Sequence, residues 1–217
     1  MVTKKEFLEL KEQVKLQGET IKFLQKHIEQ LDQRIVELYS EKVLASHVND
    51  LLSEQIDSLC QYSRRSCIVV EGLPVAENET IESVETSTKD ILVQNLGFKM
   101  DTVVNEFDKA HRIGPVKDNK QKVIVKFRSH NFKSQVYANR RNCSNKKIKF
   151  RPSLTKKRED LLYEAIRNLE HHDNFHYAFA DVNGTIKVKT NNKVNNKTYF
   201  IIRNETDIAK LLIELER

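Results

Sequence analysis

Turn-forming residues are scarce in this chain, with five glycines and three prolines among 217 residues. Together with 31% charged side chains, that scarcity points to long helix and much solvated surface, although the length still suffices for a buried core. The three cysteines, Cys60, Cys67 and Cys143, are odd in number and show no C-x-x-C or other metal-ligand spacing. No apolar run approaches the roughly 18 residues of a membrane span, and the opening Met1-Val-Thr-Lys-Lys-Glu lacks the apolar core of a signal peptide. A soluble, reduced, intracellular protein is expected. Catalytic signatures are missing too: there is no Gly-rich phosphate loop, nucleophile elbow or H-E-x-x-H. His171, His172 and His176 fall in a polar loop without a companion ligand spacing, so they read as solvated histidines. No enzyme, metal or cofactor is expected.

What the chain does have is a heptad repeat. The a positions are Phe7, Val14, Ile21, Ile28, Ile35, Lys42, Asn49 and Ile56, and the d positions are Leu10, Gln17, Leu24, Leu31, Leu38, Ala45, Leu52 and Leu59. Thirteen of these sixteen are apolar and the register never slips, which a straight helix cannot hold on one face without supercoiling around a partner. A stripe of two residues per heptad is too narrow for a globular core helix. Residues 7–59 are therefore expected to form a parallel coiled coil roughly 80 Å long. Its contacts would come from Phe7, Leu10, Val14, Ile21, Leu24, Ile28, Leu31, Ile35, Leu38, Asn49, Leu52, Ile56 and Leu59. Ile at a, Leu at d and the polar Asn49 favour two strands, and a trimer stays open.

Beyond Leu59 the periodicity changes. Residues 67–74 are β-rich and end in a Gly and Pro stop, and 79–96 read as an amphipathic helix with Gly97 at its C′ position. A strand from Val103 to Arg112, a Gly114-Pro115 turn and an alternating strand over 122–127 follow. A helix over about 131–141 and an extended piece from Ile148 complete a β-α-β-β-α-β order, that of an RNA-recognition motif. Such a fold presents stacking aromatics on its sheet. Here Val69, Lys122 and Ile124 stand at those places, so any nucleic-acid binding is expected to run on charge, with little sequence preference.

Charge is concentrated to match. Residues 1–60 are net −3, 61–150 net +7 and 151–217 net +2, and the window from Lys109 to Arg158 holds 17 Lys and Arg against one acid, Asp118. The candidate phosphate-binding residues are Lys109, His111, Arg112, Lys117, Lys120, Lys122, Arg140, Arg141, Lys146, Lys147, Lys149, Arg151, Lys156, Lys157 and Arg158. The last three occupy the first turn of a helix running from the N-cap Thr155 to about Leu169. Cations there oppose the helix dipole, which implies that an anion belongs beside them. A hairpin through Asp181-Val-Asn-Gly184, a third strand over 198–202 and a final helix capped by Asn204 with Asp207 at N3 close the chain. The fold class is α+β in three parts: coiled coil over 1–61, degenerate RNA-recognition motif over 62–150, and a small α/β domain over 151–217.

This series resembles the first-open-reading-frame RNA-binding proteins of long interspersed retrotransposons, and more closely the few-polyhedra proteins of baculoviruses. The resemblance is carried by Ser63-Arg-Arg-Ser-Cys67-Ile-Val-Val-Glu-Gly-Leu-Pro74, Asp108-Lys-Ala-His-Arg-Ile-Gly114 and Val123-Ile-Val-Lys-Phe127. It continues in Leu154-Thr-Lys-Lys-Arg-Glu-Asp-Leu-Leu162, Asn183-Gly-Thr-Ile-Lys-Val188 and Tyr199-Phe-Ile-Ile-Arg-Asn204. It implies a non-enzymatic oligomer of an insect virus, present in nucleus and cytoplasm of the infected cell and in virions, that supports occlusion-body assembly. The retrotransposon relatives trimerise, coat single-stranded nucleic acid and act as chaperones. Two function classes stand open: a sequence-tolerant coat on single-stranded nucleic acid, or a structural adaptor that binds viral proteins through coiled coil and basic face. A retrotransposon-derived RNA chaperone is the variant of the first.

The seam makes one prediction directly. A buried Asn49 must pair with its counterpart, whereas isoleucine would pack without that constraint. Asn49→Ile should raise the melting temperature and relax oligomer order; a lower melting temperature would reject this register.

Overall fold

In the computed structural model, residues 4–194 and 197–215 are described, and the chain divides into two units, Met1–Gln55 and Ile56–Arg217. Helix α1 spans Lys4–Ser63, so the heptad segment is one unbroken helix whose last two turns belong to the second unit. Leu10, Val14, Ile21, Leu24, Ile28, Leu31, Ile35, Leu38 and Leu52 are 48–60% exposed, and Ile56 and Leu59 reach 60% and 71%. Asn49 is exposed as well; the Phe7 side chain lies outside the described residues.

The second unit is α+β with two antiparallel sheets. The first sheet is built from β1 (Cys67–Glu71), β2 (Phe107–Lys117), β3 (Lys120–Phe127) and β4 (Lys149–Pro152), in the order β2-β3-β1-β4. Helices α2 (Ile81–Leu96), α3 (Met100–Glu106) and α4 (His130–Asn139) supply the rest of its core. Ile68, Val70, Val123, Val125 and Phe127 point one way from the sheet and are at most 1% exposed, because successive strand residues alternate faces. Phe127 and Phe132 meet edge to face at 5.2 Å, and Phe98 meets Phe132 likewise at 5.1 Å. The second sheet, in the order β5-β6-β7, comprises β5 (Phe175–Ala180), β6 (Ile186–Val194) and β7 (Lys197–Ile202). It buries Ala180, Ile186, Val188 and Ile202 against α5 (Lys156–Leu169) and α6 (Glu205–Leu215).

Local signals placed most boundaries. Gly97 ends α2 in the left-handed conformation at φ 75°, as its C′ role requires. Thr155 caps α5 by accepting from the Arg158 amide, and Asn204 caps α6 through the Asp207 amide. Two expectations are corrected. Val103 does not open a strand: it is fully buried in α3, packed into the first core, and the strand starts at Phe107. The β2–β3 turn is not Gly114-Pro115 but Asp118-Asn119, at φ 50° and 55°, the left-handed pair that a two-residue hairpin needs. Gly114 and Pro115 sit instead where the β2 register slips on an edge strand, a place that tolerates proline.

Helix α4 joins the two sheets through three side chains on one face. The His130 ring nitrogen contacts Asn183 Oδ1 at 3.1 Å, the Lys133 ammonium donates to the Val182 carbonyl, and Tyr137 Oη donates to the Ala180 carbonyl at 2.7 Å. Lys133 is 1% exposed, and burial pushes its ammonium from the usual 10.5 down to about 8. Between about pH 8 and 10.5 the unfolded chain therefore holds the Lys133 proton that the native chain has lost. Relative to Lys133→Met, the wild type should gain stability across that window and show no further change below it. Urea unfolding of both proteins at a series of pH values measures the difference, and a pH-independent gap would contradict it.

Candidate nucleic-acid interface

One face of the first sheet is turned away from α2, α3 and α4, and register assigns its residues. Val69 opposes Ile124 and Arg151, Glu71 opposes Lys149, Lys109 opposes Lys126, and Ile113 opposes Lys122. Directly opposed residues share a face, so Lys109, His111, Lys122, Lys149 and Arg151 all fall on this one, beside Val69 and Ile124. Lys126 joins them although the candidate set omitted it; the alternation from Lys122 through Ile124 already pointed there. Lys126 lies 3.0 Å from Asp108, and the hydrogen bond between them holds the ammonium above and the carboxyl below their ordinary ranges.

Beside this face a cleft of about 700 Å³ opens between the first sheet and the α5–β5 region. Six cationic side chains line it, Arg64, Lys117, Lys120, Lys122, Arg140 and Arg151, against two acids, Glu71 and Glu159. Glu71 already bridges Lys122 at 3.2 Å and Arg151 at 2.9 Å, which fixes both cations and leaves the lining net positive. Tyr137, Tyr163 and Phe179 contribute aromatic surface. Arg140 is held in place by stacking 3.8 Å over the Tyr137 ring and donating to the Tyr137 carbonyl at 2.6 Å. A second hollow of about 360 Å³ adjoins it and is lined by Arg140, Arg141, Lys146, Lys149 and Arg151. Lys147 is exposed on the same connection, where its carbonyl lies so close to Gly72 that a Cβ there would stand 2.2 Å away.

Two parts of the candidate set stand apart. Arg112 opposes the fully buried Val123, which puts it on the helix side of the sheet. Its guanidinium grips both oxygens of Glu79, at 2.7 and 2.9 Å, and donates to the carbonyls of Leu73, Pro74 and Gln121. That arginine ties the start of α2 to the sheet and has no donor left for a phosphate. The Lys156 to Arg158 cluster does have its anion, and the chain supplies it. Arg158 Nε donates to Asp57 Oδ2 at 2.8 Å, and the Thr155 hydroxyl donates to Asp57 Oδ1. Lys156 pairs with Asp160 at 2.6 Å. Nearby, Gln61 reads the same loop twice, donating to the Ser153 carbonyl at 2.9 Å and accepting from the Thr155 amide at 3.1 Å.

Among the described residues no group of three or more His, Cys, Asp or Glu is placed to hold a metal ion, and no helix is long and apolar enough to cross a membrane. The chain matches no protein-family model, and no curated protein is significantly similar to it.

Burial alone would raise the Asp57 carboxyl, but the Thr155 hydroxyl and the Arg158 guanidinium outweigh it and hold the group below the ordinary carboxylate range. Its contribution to stability is therefore complete above about pH 4 and lost as pH falls through the lowered value. Asp57→Asn should cost about 1–3 kcal/mol at pH 7, and the gap to wild type should close below about pH 4. Chemical unfolding at both pH values tests this; an equal cost at each would mean that the charge contributes nothing.

Proposed function

We propose that this protein is a non-enzymatic, self-associating coat for single-stranded nucleic acid that binds with little sequence preference. The observation that carries the reading is the cleft in which six cations face two acids. Phosphate backbones bind such a surface by releasing condensed counterions, whatever the sequence. Support comes also from the first sheet: its β1 and β3 strands are central, as in an RNA-recognition motif, and its face away from α2 and α4 carries five of the candidate basic residues. A parallel coiled coil through α1 is the self-association that the uncovered seam favours. Joined copies would raise the effective concentration of clefts along one strand, so weak individual sites give firm coating. The resemblance to few-polyhedra proteins would place this activity in the assembly of insect-virus particles or occlusion bodies.

A second reading, a structural adaptor that docks proteins, draws on one observation. Phe23, Val36, Val43, Leu44 and Leu51 are 48–70% exposed on α1 at positions outside the seam. A two-stranded coil would leave that surface available to another protein.

Salt dependence separates the two. With roughly six phosphates neutralised on a single strand, log affinity should fall with log salt at a slope of about −4. Arg140→Glu combined with Arg141→Glu should weaken every probe alike and flatten that slope, leaving the oligomer intact; replacing Lys4 and Lys5 should change nothing. Polarisation with single-stranded probes at several salt concentrations measures both. Unchanged binding in the double variant, or no binding at low salt, would favour the adaptor.

A further inference from the structure

The stacking aromatics absent from the first sheet have counterparts on the second. Register builds two cross-strand rows on the face of β5-β6-β7 away from α5 and α6. Tyr177 opposes Lys189, which opposes Tyr199; Phe179 opposes Lys187, which opposes Ile201. The residues between them, Ala178, Val188 and Phe200, belong to the hydrophobic core beneath. Tyr199 and Ile201 are 49% and 48% exposed, and Tyr177 and Phe179 are half-buried.

The rings form a connected surface. Tyr177 and Phe179 lie 5.4 Å apart, Phe179 and Tyr199 6.4 Å apart, and the Lys189 ammonium sits 5.6 and 5.7 Å from the Tyr177 and Tyr199 rings. We infer that this face is a stacking platform for unpaired nucleobases, with Lys189 beside the rings to meet the phosphates between them. The inference rests on the nucleic-acid reading above and deepens it from charge alone to recognition of single-stranded bases.

Three observations favour that occupant. Neither row contains an acid, and Asp181 at the edge is neutralised by Lys187 at 2.9 Å. Interleaving a cation with aromatic rings suits a ligand that alternates flat rings with anions, whereas a purely apolar partner would have to desolvate the ammonium. Finally, Phe179 also lines the basic cleft that contains Arg140 and Arg151, so the aromatic face adjoins the cationic one.

The experiment compares three labelled probes of equal length at one low salt concentration: oligothymidylate, an abasic strand with the same phosphates, and a duplex. The wild type should bind oligothymidylate about tenfold or more tightly than the abasic strand, since each stacked base contributes a factor of that order. It should also prefer oligothymidylate to the duplex, whose bases are already paired. Tyr177→Leu with Tyr199→Leu should erase the preference and leave abasic binding unchanged, which also shows that the variant is folded. Tyr177→Phe with Tyr199→Phe should keep it. Equal wild-type binding of oligothymidylate and abasic strands overturns the platform while leaving the charge-based coat intact. A preference that survives the leucine pair, or is lost from the phenylalanine pair, overturns it as well, as does a leucine pair that weakens all probes equally. If no probe binds, the platform and the coat both fall.

Discussion

Asp57 sits two turns before the end of α1, yet its carboxylate completes the start of α5, about a hundred residues further along the chain. It accepts from Arg158 and Thr155, while Gln61, one turn on, holds the Ser153 carbonyl and the Thr155 amide. Gln61 is 5% exposed and its amide makes both kinds of hydrogen bond, so the contact leaves no unpaired polar group to offset it. Space confirms how close the packing is: a Cβ on Gly184 would stand 2.4 Å from Gln61 Nε2. The segment from β4 to α5 is fixed at this joint. Arg151, Leu154 and Glu159, which line the cleft, hang from that same segment. The end of α1 is thus part of the framework that shapes the candidate binding surface.

Basic residues in the dense window divide by what surrounds them. Arg112 and Arg158 are enclosed by carboxylates and carbonyls, and they act as struts. Lys122 and Arg151 share Glu71 in the open, where an exposed pair is worth little and leaves most of the cation's field available. Arg140 is oriented by an aromatic ring rather than by an acid, so its charge is presented without being cancelled. The same composition therefore builds the fold and charges the cleft.

Much of this was legible where a local rule decides. The unbroken heptads gave α1, Gly97 and Thr155 marked helix ends, and period-two alternation marked the strand from Lys122 to Phe127. Illegible features depended on partners distant in sequence. Asp57 looks like any other solvated acid on a charged helix until Arg158 is folded against it. Arg112 follows His111 in a basic run, and only the burial of Val123 opposite it reveals the other face. Val103 has a strand former's side chain, but a buried place between helices overrode that preference. The Tyr177 and Tyr199 row was present as alternation in two separate segments, and β6 had to align them before it became a surface.

A regular apolar seam is left half exposed along α1, and the proposed coating of a strand rests on a second copy of the chain packing there. Sedimentation equilibrium of the full chain beside residues 56–217, which retain Asp57 and Gln61, addresses this most directly. The full chain should have two or three times the mass of one copy, and residues 56–217 the mass of one. A monomeric full chain, or the same oligomer for both, would contradict it.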